Sequence, residues 1–198
     1  MLNSSEVKFQ TLLRYIESCD ICSNSLPDLP KQVVQLSEKS KILIIGKSPS
    51  EEARNSGILW NNRGGEKLRS WLGVTDDQFY DPDNFALLPM GFCYPGKANH
   101  RDLPPRPECA PLWHNLLVHS LNNIELTVLV GEYAQSFYLN GRSRESLFDN
   151  VKAFKEYLPE YFILPYPKTQ FGLTNEPAEW LDKEVFPELK TRVKRILG

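Results

Sequence analysis

Four cysteines form two pairs whose residue type and spacing suit metal binding. Two residues separate Cys19 from Cys22, and fifteen residues separate Cys93 from Cys109. Together the two pairs can supply four thiolates to one [4Fe-4S] cluster or to one tetrahedral zinc ion. We predict the cluster, because a structural zinc site more often has two short Cys-x2-Cys pairs and this chain has one. Two alternatives stay open: zinc, and four unrelated buried thiols without a metal.

A turn that contains glycine follows a short apolar run and could present backbone N–H groups to a ligand. The run Ile42 to Ile45 is followed by Gly46, Lys47, Ser48, Pro49 and Ser50. A phosphate-binding P-loop would need a further glycine five residues before Gly46, and position 41 is lysine. We therefore exclude a P-loop nucleotide hydrolase. The turn is a candidate binding loop, and a plain strand-to-helix turn is the alternative.

Basic residues occur in a proline-rich segment that also contains aromatic residues. Lys97, Arg101 and Arg106 are candidates for contacts with the phosphates of DNA, because such contacts need cations without requiring a basic protein. The basic residues of the last predicted helix are expected to form its solvated face. His114 and His119 have no metal-ligand spacing, and we expect both at ordinary polar positions of a helix.

The composition predicts one globular domain over residues 1–198. The chain has 41% hydrophobic residues and a formal net charge of −2, and a chain of this length buries roughly 70% of the surface that its unfolded form exposes. The near-zero net charge argues against a histone-like polyanion binder but is compatible with a local basic groove. No apolar run approaches the roughly 20 residues of a membrane helix. We expect a cytoplasmic monomer that does not bind membranes.

Short apolar runs alternate with helical patterns, which is typical of a parallel sheet with helices on both faces. The predicted strands are 41–46, 85–88, 126–130 and 161–164. The predicted helices are 7–21, 65–72, 110–121, 132–139, 145–157 and 179–197. The fold class that follows is α/β, a three-layer α/β/α sandwich with a central, mainly parallel sheet of about four strands. Ligands of such sheets bind at the carboxyl ends of the strands.

Taken together, these motifs resemble those of the uracil-DNA glycosylase superfamily, nearest its iron-sulfur, thermophile-type branch. The residues that carry the resemblance are IGKSPS at 45–50, GILWNN at 57–62, PMGFCYPG at 89–96, LPPRPEC at 103–109 and LPYP at 164–167. The resemblance covers the chain from Cys19 to the last helix. It implies the α/β/α fold, a DNA groove at the carboxyl ends of the strands, and excision of a flipped base by hydrolysis of the N-glycosidic bond.

The resemblance also implies roles for individual residues. Trp60 is where the family stacks an aromatic ring on the base, and the loop 46–50 would position water and backbone groups. Tyr166 stands in place of the family's histidine, which donates to the developing base anion. Asn62 stands where close relatives often carry an acid. Tyr166 and Asn62 are therefore the predicted catalytic residues.

Two substitutions relative to the family bear on whether uracil would be excised. Lys47 replaces the usual Gln or Glu, and Pro89 replaces the Asn that reads the uracil edge, so we expect weak or no activity on uracil. Lys47 and Lys168 are predicted to contact the base or a phosphate. The preferred hypothesis is a DNA glycosylase acting on a flipped uracil or other damaged base. The alternatives are a non-catalytic nucleic-acid-binding descendant of the fold and a hydrolase of free nucleosides or nucleotides.

Overall fold

The computed structural model describes residues 4–167 and 179–198 of the chain. Its six strands are β1 Ile42–Gly46, β2 Phe85–Pro89, β3 Lys97–Ala98, β4 Arg101–Asp102, β5 Leu126–Val130 and β6 Phe162–Leu164. Its eight α-helices are α1 Ser4–Glu17, α2 Glu51–Ser56, α3 Arg63–Leu72, α4 Asp76–Tyr80, α5 Cys109–Ser120, α6 Glu132–Leu139, α7 Leu147–Lys152 and α8 Phe186–Leu197.

The central sheet has four parallel strands in the order β2-β1-β5-β6. Every residue of β1, β2 and β6 is buried, and β5 has one partly exposed residue, Thr127. A strand buried on both faces requires helices on both sides of the sheet, which explains why these strands are continuous apolar runs. The predicted fold class, a three-layer α/β/α sandwich with four parallel strands, is confirmed.

The helices that cover the sheet also contact one another. Helix α3 contacts α8, where the rings of Trp71 and Phe186 stack with their centroids 4.5 Å apart. Helix α1 contacts α5. The apolar side of the last predicted helix packs inward, because Val185, Leu189 and Val193 are all buried. A π-helical turn, Leu181–Val185, directly precedes α8.

The predicted bounds of two helices were wrong. Helix α1 was expected to reach Ile21 but ends at Glu17, and the 60% exposed Ile21 side chain is not part of an apolar face. The helix expected at 145–157 is interrupted after Lys152 and continues as a 3-10 turn, Phe154–Tyr157. Both errors have the same cause, since apolar spacing predicts that a segment is helical but does not reveal where its backbone hydrogen bonds change.

Two short helices and one hairpin were missed in the sequence. Helix α2 begins after Ser50, whose hydroxyl accepts from the Ala53 N–H, and ends at Gly57 in the left-handed conformation. Helix α4 begins with a capping box between Thr75 and Gln78. Strands β3 and β4 form a tight antiparallel hairpin. These elements have two to six residues each, so their caps and turns define them rather than any hydrophobic period.

None of the helices in the described parts of the chain has the length and apolar character needed to span a membrane.

His114 is buried in α5 and connects this helix to the end of β2. It is 1% exposed, its Nε2 is 3.1 Å from the Pro89 carbonyl oxygen and its Nδ1 is 2.7 Å from the Tyr138 hydroxyl. Because a carbonyl can only accept, Nε2–H is the donor to Pro89 and the Tyr138 hydroxyl donates to Nδ1. The expectation of an ordinary polar position was therefore wrong for His114, whereas His119 is exposed as expected.

The burial of His114 predicts that the protein loses stability in mild acid. Burial lowers the pKa of His114 to about 4 from its usual 6.5. Between these values the unfolded chain binds a proton that the folded protein does not, so the stability present above pH 6.5 is lost as the pH falls. We expect this residue to lower the free energy of unfolding by about 2 kcal/mol between pH 8 and pH 5.

Urea unfolding at both pH values measures this effect. His114→Gln keeps an N–H donor but does not titrate, so its stability should fall less with pH than that of the natural protein. His119→Gln, the same change on the exposed side of the same helix, should leave the pH dependence unaltered. Equal pH dependence in the natural protein and His114→Gln would contradict the assignment.

Candidate functional site

A small cavity lies at the carboxyl ends of the central strands. Its volume is about 20 Å³, which is room for about one water molecule. The sheet order places it where connections from neighbouring strands run to opposite sides, the usual ligand site of an open α/β sheet. The residues around it come from five segments of the chain: Gly46, Lys47, Ser48, Pro49, Ser50, Ala53, Leu59, Trp60, Asn62, Pro89 and Tyr166.

The loop 46–50 brings to this cavity two side chains that already form hydrogen bonds and one, Ser48, that forms none with the described residues. Ser50 is the N-cap of α2, so its hydroxyl is used by the helix. Lys47 Nζ donates to the Asp102 carbonyl oxygen at 2.8 Å and lies 5.7 Å from the centroid of the Tyr133 ring. Ser48 Oγ is buried and has no hydrogen-bond partner among the described residues. A buried hydroxyl without a partner is costly, which makes Ser48 the group of this loop best placed to bind a ligand or a water.

Two aromatic rings face each other at the cavity. The centroids of Trp60 and Tyr166 are 5.8 Å apart, with an angle of 36° between the rings. Touching carbon atoms are about 3.5–4 Å apart, so a flat base between two rings needs a separation of about 7 Å. The two rings are therefore too close together for a base to lie between them, and a base stacked on Trp60 would have Tyr166 at its edge.

Trp60 leaves no room for a side chain at two glycines, Gly46 beside its ring and Gly65 beside its backbone. A Cβ on Gly46 would lie 2.7 Å from Trp60 Cζ2, and a Cβ on Gly65 would lie 1.6 Å from the Trp60 carbonyl oxygen. Asn62 is the N-cap of α3, and its Oδ1 accepts from the Gly65 N–H at 3.0 Å. The amide nitrogen of Asn62 takes no part in that cap. Helix α3 thus begins directly against the Trp60 backbone.

Tyr166 is a hydroxyl donor rather than a phenolate. Burial, with the negative charge of Asp102 as a second cause, raises the pKa of the Tyr166 phenol above its usual value of 10. The phenol therefore keeps its proton at neutral pH and can donate a hydrogen bond. Gly131 has a φ of +83°, and its missing Cβ would lie 3.3 Å from the Tyr166 Cβ, so this glycine allows the ring to approach the end of β5.

The four cysteines meet at a second cavity. All four are free thiols, and they line one space of about 20 Å³ together with Arg106 and Trp113. Cys19 and Cys22 follow α1, Cys93 follows β2, and Cys109 is the first residue of α5. The tertiary fold therefore brings two pairs together that are far apart in sequence.

The four thiols are not arranged as a ready-made site for one metal ion. Among the described residues, no three His, Cys, Asp or Glu side chains are grouped closely enough to hold one ion. A tetrahedral zinc with Zn–S bonds of about 2.3 Å needs its sulfurs roughly 3.8 Å apart. A cluster spaces its thiolates further apart, because each binds a different iron atom. The donor set, four free thiols at one cavity, suits the chemistry of either group.

Burial keeps the thiols of Cys93 and Cys109 protonated at neutral pH. Burial raises the pKa of Cys93 to about 11 and that of Cys109 to about 12. The Phe92 N–H donates to Cys109 Sγ at 3.4 Å, and the Cys22 thiol lies 3.9 Å from Glu108 Oε2. Because thiols bind metals as thiolates, loading of this site would release protons.

The predicted DNA-contacting residues do not form one cluster. Lys97 and Arg101 lie on the exposed β3–β4 hairpin, where Lys97 Nζ is 2.8 Å from Glu51 Oε2. Arg106 lies beside the cysteine cavity and forms an ion pair with Glu108 at 3.2 Å. The hairpin is connected to the Trp60 cavity through the bond from Lys47 to Asp102. Lys168, predicted to contact the base, lies outside the described residues.

Three contributors to the site were missed in the sequence. Asp102 binds Lys47 through its backbone, His114 fixes the Pro89 carbonyl, and Arg69 contacts the Trp60 carbonyl. Each acts through a backbone oxygen that is distant in the chain, so no local spacing could have revealed it. A buried arginine or histidine is a possible signal, but burial is known only from the fold.

A comparison with protein-family models matches residues 33–190 to the uracil DNA glycosylase superfamily. The match spans the sheet, the Trp60 cavity, two of the four cysteines and the start of α8. The chain belongs to this superfamily. The resemblance drawn from the motifs is confirmed at that level, and with it a relation to DNA repair by base excision.

The contact between Gly65 and Trp60 predicts a large difference between two neighbouring glycines of α3. Gly65→Ala would place its Cβ on a backbone oxygen, and overpacking of this kind costs about 1–3 kcal/mol or more. Gly64→Ala is the control, because its Cβ would meet its nearest atom at 3.2 Å. Thermal unfolding should show a clear loss of Tm for Gly65→Ala and a small change for Gly64→Ala. Similar Tm values would contradict the described path of the Trp60 backbone.

Proposed function

We propose that this protein is a cytoplasmic, monomeric DNA glycosylase that hydrolyses the N-glycosidic bond of a flipped, damaged base. The observation that carries the proposal is the pairing of Trp60 and Tyr166 across the cavity at the strand ends. A flipped base needs an aromatic surface and polar groups at its edge. Trp60 supplies the surface, and Tyr166 supplies a neutral donor beside it.

The reaction would distribute charge in a way that suits these groups. Cleavage leaves the electron pair of the N-glycosidic bond on the departing base and gives the sugar oxocarbenium character. Donors already aimed at the base stabilise that negative charge. The Tyr166 hydroxyl and the Lys47 ammonium are the donors we assign to the base. The Ser48 hydroxyl, which has no partner among the described residues, is assigned to the water that adds to the sugar.

The choice of base follows from the groups around the cavity. Pro89 carries no side-chain donor, and its carbonyl oxygen already accepts from His114. The site therefore lacks the amide that reads a uracil edge at this position in the family. A neutral tyrosine also stabilises a base anion less than the family's histidine. We infer weak activity on uracil and a preference for a base whose bond is already weakened by damage.

Strand-cleavage assays test the proposed function. Labelled oligonucleotides with uracil or other deaminated or alkylated bases are incubated with the protein and scored for alkali-labile breaks. Tyr166→Phe should lower the rate about 10²- to 10³-fold, the usual loss for one well-placed donor, with DNA affinity nearly unchanged. Tyr161→Phe, the same change outside the cavity, is the matched control. Tyr166→His should raise activity on uracil.

Two results would contradict the catalytic assignment. Equal excision by the natural protein and Tyr166→Phe would mean that the donor lies elsewhere. DNA binding without excision of any base, in both the natural protein and Tyr166→His, would favour the non-catalytic alternative. That alternative has support in the structure, because Ser50 and Asn62 already use side-chain oxygens as helix caps.

We also propose that the four-cysteine cavity holds a [4Fe-4S] cluster with Cys19, Cys22, Cys93 and Cys109 as ligands. Their shared cavity and their free thiols support it. A cluster there would connect the segment after α1 to the start of α5. Its role would be structural, because the cavity around Trp60 is lined by other residues.

Purification without oxygen tests the cluster. The natural protein should be brown and contain four irons, and Cys93→Ser should lose the colour and lower the Tm. Glu108→Gln removes the carboxylate beside Cys22 but no ligand, so it should retain the iron. Colourless protein with one zinc per chain would favour zinc. Metal-free protein whose Tm is unaffected by Cys93→Ser would contradict any metal at this site.

The dependence of DNA affinity on salt tests the role of the hairpin. On duplex DNA, log K falls with log salt by about 0.9 for each neutralised phosphate. Arg101→Gln should therefore reduce the slope by roughly 0.9. Arg195→Gln, on the last helix, should leave the slope unchanged. The reverse pattern would move the DNA-contacting surface to that helix.

A further inference from the structure

Trp60 has a backbone conformation that a tryptophan adopts at a cost. Its φ is +58°, in the left-handed region, where a bulky residue is an outlier. Strain of this kind is of order 1–3 kcal/mol and persists where surrounding contacts enforce it. Trp60 is also the residue whose ring lies over Gly46 and faces Tyr166. The strained backbone therefore determines where the stacking ring lies.

Two donors converge on the carbonyl oxygen of Trp60. Arg69 Nη1 donates to it at 3.2 Å, and the Tyr80 hydroxyl donates to it at 3.2 Å. Arg69 Nη1 also donates to the Tyr80 oxygen at 3.0 Å. The Arg69 guanidinium, the Tyr80 hydroxyl and the Trp60 carbonyl oxygen are therefore each bonded to the other two. Gly65 completes the arrangement, because any side chain there would collide with the same oxygen.

Arg69 is itself held rigidly. It is 6% exposed, and its Nε lies 2.6 Å from Asp76 Oδ1. Its guanidinium lies over the rings of Phe79 and Tyr80, at 5.6 Å and 5.3 Å from their centroids. Asp76 and Tyr80 are four residues apart in α4 and so share one face of that helix. The short helix α4 thus presents an acceptor and a donor to Arg69 together.

We propose that Arg69, supported by Tyr80 and Asp76, is the positioning group that holds Trp60 in its base-stacking orientation. That Arg69 holds the Trp60 ring in place follows from the contacts alone. The consequence for base recognition rests on the function proposed above. Without the guanidinium the Trp60 backbone relaxes toward an ordinary conformation and the indole leaves its place over Gly46. Lysine cannot substitute, because Arg69 uses Nε for Asp76 and Nη1 for Trp60 at the same time.

Fluorine NMR of protein labelled with 5-fluorotryptophan tests the geometry without any substrate. The chain has four tryptophans, and Trp60→Phe identifies the Trp60 signal. Arg69→Met should shift or broaden the Trp60 signal and leave the other three in place. Tyr80→Phe removes one of the two donors and should have a smaller effect. If Arg69→Met does not fold, Tyr80→Phe alone decides the question.

The matched control is Arg192→Met. Arg192 is a partly buried arginine whose Nε is likewise paired, here with Glu188 at 2.8 Å, but it lies in α8. Its replacement should leave the Trp60 signal unchanged. A Trp60 signal that is unaffected in Arg69→Met and in Tyr80→Phe would overturn the proposal. Equal changes in all four tryptophan signals of a folded Arg69→Met protein would overturn it as well, because the effect would not be specific to Trp60.

A second measurement connects the positioning group to base recognition. A duplex with 2′-fluoro-2′-deoxyuridine, whose glycosidic bond resists cleavage, should shift the Trp60 signal of the natural protein. Arg69→Met should reduce the preference for this duplex over an undamaged one about tenfold, comparable to the loss of one aromatic stack. An unchanged preference would overturn the positioning role in recognition. Absence of any Trp60 response in the natural protein would count against the proposed function on this base, while the free-protein spectra still decide the geometry.

Discussion

The close pairing of β1 with β2 and β5 is the constraint on which the rest of this structure depends. β1 is one of two inner strands, and its parallel pairing with β2 and β5 brings the carboxyl ends of these strands to the edge of the sheet where β6 also ends. The Gly46 loop, the Pro89 turn and the Tyr166 segment follow three different strands and meet there. Since all five residues of β1 are buried, a polar substitution in this strand would disturb the core and the site together.

Backbone oxygens, more than side-chain pairs, connect the elements around the site. His114 donates to the Pro89 oxygen, Lys47 to that of Asp102, and Arg69 to that of Trp60. A buried carbonyl without a partner costs free energy, so each long side chain satisfies an oxygen at the end of a strand or in a loop. The loops at the cavity are in this way fixed without regular secondary structure.

The two cavities share the segment that follows β2. Pro89 lies at the Trp60 cavity, while Gly91, Phe92 and Cys93 line the cysteine cavity. A side chain at position 91 would be crowded, because a Cβ on Gly91 would lie 3.2 Å from Pro105 Cβ and 3.3 Å from the Arg106 backbone nitrogen. Only a few residues of backbone therefore separate the cysteine cavity from the Trp60 cavity. A structural change at the cysteines would reach the Trp60 cavity through them. The hairpin of β3 and β4 leaves from the same segment, so it too depends on this packing.

The sequence by itself determined the α/β/α architecture. It also indicated the main residues that meet at the Trp60 cavity and the four cysteines that meet at the other cavity. Continuous apolar runs such as Ile42 to Ile45 predict strands buried on both faces, and the order of motifs places the loop 46–50, Trp60 and Tyr166 at their carboxyl ends. The tertiary structure decided how these residues are held. The left-handed backbone of Trp60, the burial of His114 and the position of Arg106 beside the cysteines all depend on contacts between distant segments. No local pattern encodes such contacts, because they arise when the packed sheet brings the segments together.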